Sequence, residues 1–181
     1  MWKKETFVYY ETLKNRYPNV RILHGKKEFN YSAINNFAVR EARGEYLLFL
    51  NNDVEIITEN WLEEMLQLCQ QKDVGMVGAK LYYPDDTIQH AGVVVGLGGV
   101  AAHVLCKLPR DAEGYMGRLR CVQEISAVTA ACMMVKTSVF KAVGGFDEEL
   151  KVAFNDIDLC MKVRKIWSEN CIHTVCRTVS L

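Results

Sequence analysis

One acid and two amides, Asn51, Asn52 and Asp53, directly follow the apolar run YLLFL of residues 46–50. Mg²⁺ needs only one or two protein carboxylates when water and substrate phosphates supply its remaining oxygen ligands. Asp53 could therefore be a metal ligand if a diphosphate binds beside it. The alternative is a polar turn in which Asp53 accepts hydrogen bonds from neighbouring backbone N–H groups. The residue types alone leave both roles open.

A second polar group, Asn155, Asp156 and Asp158, lies where the sequence pattern predicts the start of a helix. A carboxylate fixed at such a position can be a general base that takes the proton of a hydroxyl nucleophile. Asn and Asp are also preferred helix caps, and acids are stabilised at the positive end of the helix dipole. Capping needs only one of the three side chains, so Asp156 and Asp158 are both candidates for a catalytic role.

The elements that position these groups alternate between helices and strands. Apolar spacing predicts helices over 5–16, from Ser32 to Arg43 and over 61–69, and strands over 19–23, 46–50 and 74–83. This order predicts the α/β class, with a mostly parallel sheet flanked by helices. Ligands of such sheets bind beyond the carboxyl ends of the strands, where Asn51 to Asp53 would lie.

The pattern is less regular after residue 83. It predicts one or two strands within 124–136, a short helix over 138–143 and a last helix over 156–165. His90 and His103 lie on either side of the glycine-rich residues 97–99 and could contact a substrate. A lone histidine is more often a hydrogen-bonded structural residue, so this role competes with a structural one.

Composition excludes several classes of protein. The 181 residues suit one domain, and 22 basic against 22 acidic side chains give no general attraction to nucleic acid. No apolar run reaches the length of a membrane span. The seven cysteines form no C-x-x-C pair, which indicates free thiols in a reducing compartment such as the cytoplasm.

Four stretches carry a family resemblance, and they occur in order between residues 44 and 164: GEYLLFLNNDVEIITENWLEEML, DDTIQHAGVVVG, SAVTAACMMVKTSVFKAVGGFDEEL and FNDIDLCMKVR. Together they resemble the inverting glycosyltransferases of family two, near the branch of rhamnosyltransferases and O-antigen polysaccharide transferases. The resemblance extends over residues 5–166. It implies a GT-A fold, a nucleotide-diphosphate sugar donor and usually Mn²⁺ or Mg²⁺.

The resemblance also implies roles for single residues. Asn51-Asn52-Asp53 occupies the place of the D-x-D motif, with Asp53 as the metal ligand. Asp156 falls on the acid that removes a proton from the acceptor hydroxyl while its oxygen attacks the anomeric carbon and inverts it. Asn35 and Asn36 fall where many relatives have Arg-Asn beside the nucleotide.

The implied setting is polysaccharide or cell-envelope glycan synthesis. The acceptor would be a saccharide or a lipid-linked glycan, and the enzyme would act in the cytoplasm or peripherally at the inner face of the membrane. Two other classes compete with this interpretation. One is a nucleotidyltransferase of similar fold, and the other is a noncatalytic module that binds carbohydrate or protein.

The resemblance further implies that residues 1–166 are a partial GT-A domain, because relatives begin with a strand, a helix and a second strand before the first helix found here. Exposed strand edges would then favour self-association. Residues 167–181 do not resemble the family, but their codons read one nucleotide later can encode the family-like tail GVRIVYTPYAELYHY. A frameshift is therefore the hypothesis for this tail, and we expect the chain by itself to be catalytically inactive.

Overall fold

The computed structural model combines helices with short strands and describes residues 4–25 and 28–168. The helices in this part are α1 (Lys4–Arg16), α2 (Tyr31–Glu41), α3 (Trp61–Cys69), α4 (Thr137–Ala142) and α5 (Asn155–Ser168). The strands are β1 (Tyr46–Leu50), β2 (Met76–Gly78), β3 (Leu81–Tyr82), β4 (Ile88–His90), β5 (Val93–Val95), β6 (Ala101–His103) and β7 (Cys132–Lys136). The mixture of helices and strands confirms the predicted α/β class.

The main sheet has the strand order β1-β7-β2, and β7 is antiparallel to both neighbours. Leu48 and Val77 both pair with Met134, one from each side. β1 and β2 therefore run in the same direction but do not pair with each other. The predicted parallel pairing is wrong for this sheet. Two parallel neighbours need a crossover that carries the chain back to the end of the sheet where the first strand began. The chain between β2 and β7 instead forms two hairpins and re-enters the sheet at the end where β2 finishes, so β7 is antiparallel to β2.

Both faces of the sheet are covered by apolar side chains. Met133 and Val135 of β7 pack in one cluster with Leu159 and Val163 of α5, while Met134 packs in another with residues of α3. Successive residues of a strand point to opposite faces, so β7 contributes to both clusters. This two-sided burial explains why β1 lacks the polar alternation of a half-exposed strand.

Three predicted elements differ in detail. Residues 19–23 form no strand and are largely exposed, because β-forming residues need a partner strand and none in the described chain pairs with them. The strand predicted over 74–83 is divided into β2 and β3, which belong to different sheets.

The start of α2 also differs, because the N-cap is Asn30, whose side chain accepts a hydrogen bond from Ala33 N–H. Ser32 lies inside the helix and is buried, and its hydroxyl donates to the carbonyl oxygen of Leu150.

The boundary predicted at residue 166 falls inside α5, which runs to Ser168. Residues 169–181 lie outside the described residues, so the atypical tail stays a prediction. No helix in the described part is long and apolar enough to cross a bilayer. The five cysteines described there are free thiols, as predicted.

Candidate active site at the carboxyl edge of the sheet

The segment Thr129–Ala131 immediately precedes β7 and lies beyond the carboxyl ends of β1 and β2. Its backbone forms hydrogen bonds with three regions that were identified separately from the sequence as candidate site regions. The hydrogen bonds run from Asn51 N–H to Ala131 O (2.9 Å), from Ala130 N–H to Asp156 Oδ2 (3.2 Å) and from Thr129 N–H to His90 Nε2 (3.4 Å). The segment belongs to the third of the four family-like stretches, and one residue from each of the other three contacts it.

Asp156 is half-buried at the first turn of α5, and two backbone donors hold its carboxylate. Oδ1 accepts from Ile157 N–H at 2.9 Å, and Oδ2 accepts from Ala130 N–H. The backbone N–H of Asp156 is itself bound by Asn155 Oδ1 at 2.8 Å. Asn155 therefore fills the capping role that the sequence left open, and the carboxylate of Asp156 is fixed while it keeps acceptor capacity for a substrate proton.

Phe154, just before this pair, has a φ of 64°. A bulky side chain with positive φ is uncommon and costs of order 1–3 kcal/mol. Its carbonyl accepts from Asp158 N–H at 2.9 Å, which is the first hydrogen bond of α5. The strained residue thus sets the entry angle of the helix that carries Asp156, and such strain is concentrated at functional sites.

Asp156 lines a cleft of about 300 Å³ between residues 152–157 and the β5–β6 hairpin. His103 of β6 lines the other side. The cleft thus brings together Asp156 and His103, which were predicted as site residues for different reasons.

His90 and His103 form a hydrogen-bonded pair with 2.9 Å between their Nδ1 atoms. Burial, followed by the neighbouring His103, lowers the pKa of His90 to about 3, so His90 is neutral at physiological pH. Its Nε2 accepts from Thr129 N–H, so the proton of the ring lies on Nδ1 and is donated to His103. With Nδ1 of His103 engaged as the acceptor of this hydrogen bond, its Nε2 is the ring nitrogen left to donate.

Tyr31 is a residue of this region that no sequence motif indicated. Its hydroxyl donates to the carbonyl oxygen of Ala130 at 3.0 Å, on the peptide next to the one that binds Asp156. Burial, and then the negative charge of Asp156, raise the pKa of Tyr31 to about 12. The phenol therefore stays protonated and braces the segment, and only the tertiary contact reveals it.

Asp158 has a different environment from Asp156. Its Oδ2 forms an ion pair with Lys162 at 2.6 Å, one turn further along α5. Positions two apart on a helix do not share a face, so the two acids point in different directions. Asp158 does not line the cleft.

The two asparagines predicted to lie beside the nucleotide are engaged by backbone groups. Asn36 donates to Phe146 O at 2.8 Å and accepts from Phe146 N–H at 3.0 Å, which ties α2 to the turn after α4. Gly145 at this turn has a φ of 74°, and a Cβ there would lie 2.7 Å from Asn36 Oδ1. Asn35 donates to Tyr31 O at 2.8 Å. A nucleotide contact by Asn36 would have to replace its bonds to Phe146.

Asn52 and Asp53 form an exposed turn directly after β1, and Asn51 is half-buried. Within residues 4–25 and 28–168, no group of three or more His, Cys, Asp or Glu side chains could hold a metal ion. One exposed carboxylate with two amides fits a hard divalent cation only if a bound diphosphate and water supply most of its oxygen ligands. The residues present therefore fit a metal that enters together with a nucleotide.

The model of the family described as glycosyl transferase family 2 matches residues 4–144. This chain belongs to that family. The chain is 53% identical over 161 residues, 88% of its length, to uncharacterized protein y4gI of Sinorhizobium fredii. It is 43% identical over 136 residues, 75% of its length, to the O-antigen biosynthesis protein RfbC of Myxococcus xanthus. It spans only 18% of the first relative and 11% of the second.

The fold is similar to that of a mannosyltransferase, PcManGT from Pyrobaculum calidifontis, whose structure contains GDP-Man and Mn²⁺. The TM-score is 0.65 at 12% identity, over 97% of this chain and 43% of the other. This likeness confirms the predicted GT-A fold. The family match favours the glycosyltransferase interpretation over the nucleotidyltransferase alternative.

Proposed function

We propose that the protein transfers a sugar from a nucleotide-diphosphate donor to a hydroxyl group of a saccharide or lipid-linked glycan, with inversion at the anomeric carbon. The observation that carries this proposal is the convergence on Thr129–Ala131 of the end of β1, the start of α5 and the histidine pair. The O-antigen role in the name of one relative supports a place in polysaccharide or cell-envelope glycan synthesis.

Asp156 is the general base of the proposed reaction. Its carboxylate takes the proton of the acceptor hydroxyl while that oxygen forms the new bond to the anomeric carbon and the nucleoside diphosphate departs. Two N–H donors hold the carboxylate in one orientation, so no ordering is needed during the reaction. A base of this kind contributes about a hundred- to ten-thousand-fold to the rate.

The donor diphosphate is proposed to lie over the end of β1. Asp53, with the amides of Asn51 and Asn52, would hold a Mn²⁺ or Mg²⁺ ion there together with the diphosphate. Such an ion stabilises the negative charge that grows on the leaving diphosphate.

His103 is the proposed hydrogen-bond donor to the substrate in the cleft. Because its Nδ1 accepts from His90, its Nε2–H is left to meet an acceptor oxygen of a sugar or phosphate. The cleft that it shares with Asp156 makes the acceptor sugar the nearest candidate.

A transfer assay on the complete gene product tests the proposal. The product is incubated with a panel of nucleotide-diphosphate sugars and short glycan acceptors, with Mn²⁺ present, and the anomeric configuration of any new linkage is read by NMR. The expected result is a linkage of opposite configuration to the donor, absent from an Asp156→Asn variant. Glycan binding without turnover of any donor would favour the noncatalytic module, and retained configuration would overturn the inverting mechanism.

A further inference from the structure

Lys80 is a buried cation outside the site described above. The residue is 5% exposed, and its ammonium lies 3.4 Å from the carbonyl oxygen of Leu119 and 5.3 Å from the centre of the Tyr82 ring. Neither neighbour carries a negative charge, although an ammonium has three protons to donate. The ion pairs Glu11–Lys14, Asp86–Arg110, Glu113–Arg120 and Asp158–Lys162 of the described residues do not involve it. A buried charge without a counter-charge costs free energy, which a bound anion would offset.

Lys80 lies in the wall of a cavity of about 520 Å³. The wall contains three cations against two acids, and its charged members are Lys80, Arg110, Arg120, Glu64 and Asp111. Arg110 lies 5.0 Å from the centre of the Tyr82 ring that Lys80 also approaches. Two cations thus share one aromatic ring at the cavity.

The two arginines are available to a ligand because their present partners are weak. Arg110 pairs with Asp86 at 3.3 Å and Arg120 pairs with Glu113 at 2.7 Å, and all four side chains are exposed. Exposed ion pairs contribute little to stability, so a dianionic group could replace either partner. Guanidinium groups bind phosphate oxygens in pairs, and the lysine adds a point charge.

We propose that this cavity binds a phosphate or diphosphate group through Lys80, Arg110 and Arg120. The cavity adjoins the active-site edge of the sheet, because Ala79 N–H donates to Cys132 O and Asn51 N–H donates to Ala131 O across β7. The ends of β1 and β2 are two strand spacings apart, which is about 10 Å. The site is therefore separate from Asp53 yet within reach of one extended ligand.

The source of the phosphate rests on the function proposed above, which makes it either the sugar donor or a lipid carrier of the acceptor. A nucleoside diphosphate in the cavity would place the donor phosphates beside β2, and this outcome would replace the position over the end of β1 proposed above. A lipid diphosphate would extend over the 3₁₀ segment Tyr115–Arg120, whose Leu119 carbonyl meets Lys80. Tyr115 and Met116 in that segment are 77% and 85% exposed and offer apolar surface to an isoprenyl chain.

The test is titration calorimetry of the chain with inorganic pyrophosphate, in low salt and with EDTA so that no metal-dependent site contributes. We expect saturable binding that weakens with added salt. Lys80→Met keeps the length of the side chain and should weaken binding by at least about tenfold, as expected for loss of a charged hydrogen-bond donor. Lys107→Met is the matched control, because Lys107 is exposed and contacts the Tyr83 ring outside the cavity. Its binding should equal that of the unmodified chain.

Absence of saturable binding, or equal binding by Lys80→Met and the unmodified chain, would overturn the proposal. Arg110→Gln and Arg120→Gln change only exposed side chains and provide a second test if Lys80→Met does not fold. Each should weaken binding several-fold, and unchanged binding in both overturns the site. Stronger displacement of pyrophosphate by UDP or GDP than by geranyl diphosphate assigns the phosphate to the donor, and the reverse order assigns it to a lipid. Failure of all three to displace it would overturn the ligand class.

Discussion

The two polar groups at the carboxyl edge of the sheet are built in different ways. At the start of α5, the carboxylate of Asp156 is half-buried and held by two backbone N–H donors. At the end of β1, Asp53 is exposed in a turn, and no metal-binding cluster of three or more residues lies in the described chain. The difference indicates that the proposed base exists before any substrate binds, whereas the proposed metal site is completed by the donor diphosphate.

The strongest test of Asp156, the proposed base that the chain holds in place before substrate binds, is to remove its carboxylate. Asp156→Asn keeps the size of the side chain and one acceptor oxygen but removes proton acceptance. We expect kcat of the complete gene product to fall by at least about a hundredfold with little change in the KM for the donor. Steady-state kinetics with a fixed acceptor measures both constants.

Asp158→Asn is the matched control for this prediction. The same chemical change removes a charge that pairs with Lys162 and does not line the cleft. Its effect on kcat should be within a few-fold. If Asp158→Asn is crippling and Asp156→Asn is mild, the base has been assigned to the wrong acid.

The pair His90 and His103 also forms without a substrate. Because His90 is buried, it should make the stability of the chain depend on pH. The pKa of His90 is lowered to about 3 in the folded chain, against its usual 6.5 in the unfolded chain. The unfolded state therefore binds more protons between these values, so stability is greatest above pH 6.5 and falls as the pH drops towards 3. His90 should account for a loss of about 2 kcal/mol in the free energy of unfolding between pH 7 and pH 5.

Urea denaturation at pH 7 and pH 5 measures this contribution. His90→Asn keeps an N–H that can reach His103 Nδ1 but does not titrate, so its stability should lose about 2 kcal/mol less over the same interval. His24→Asn is the comparison variant, because His24 is exposed. Equal pH dependence of His90→Asn and the unmodified chain would show that His90 does not stay neutral on folding.

The local parts of this fold were predictable from the sequence. The helices α1, α3, α4 and α5 follow from apolar spacing and stop signals within a few residues. β1 is predictable because its five residues are all large and apolar, a pattern that favours a strand covered on both faces. The two polar groups of the site are also predictable from local patterns, because one follows an apolar run and the other begins a helix.

The remaining parts depend on contacts between distant residues. The antiparallel direction of β7 is set by where the chain re-enters the sheet, which no local pattern records. Tyr31 reaches Ala130 across 99 positions of sequence. Asn36 was predicted to meet a nucleotide, yet the turn at Phe146 engages its amide across 110 positions. Propensity and spacing carry no information on such partners.

Metal binding tests the proposed site at Asp53, which needs a bound nucleoside diphosphate to be complete. With one carboxylate supplied by the chain, Mn²⁺ should bind measurably only when a nucleoside diphosphate is present. Asp53→Ala should weaken this joint binding by at least about tenfold, since even outer partners of metal ligands contribute ten- to a hundredfold. Titration calorimetry of the complete gene product, with and without the nucleotide, measures both effects. Tight metal binding without nucleotide, or unchanged binding in Asp53→Ala, would contradict this assignment.

The smallest expected effect is a difference in stability between variants of Asp156 and Asp53, which can be measured without any substrate. Asp156→Ala removes the acceptor for Ala130 N–H and Ile157 N–H, so two backbone donors lose their partner. We expect a loss of about 1–2 kcal/mol in the free energy of unfolding, because two backbone donors are left without their acceptor. Asp53→Ala changes an exposed turn and should stay within about 0.5 kcal/mol. Urea denaturation of both variants at pH 7 measures the difference. Equal losses would mean that the chain itself also holds Asp53 in place, and the contrast between a preformed base and a substrate-completed metal site would be wrong.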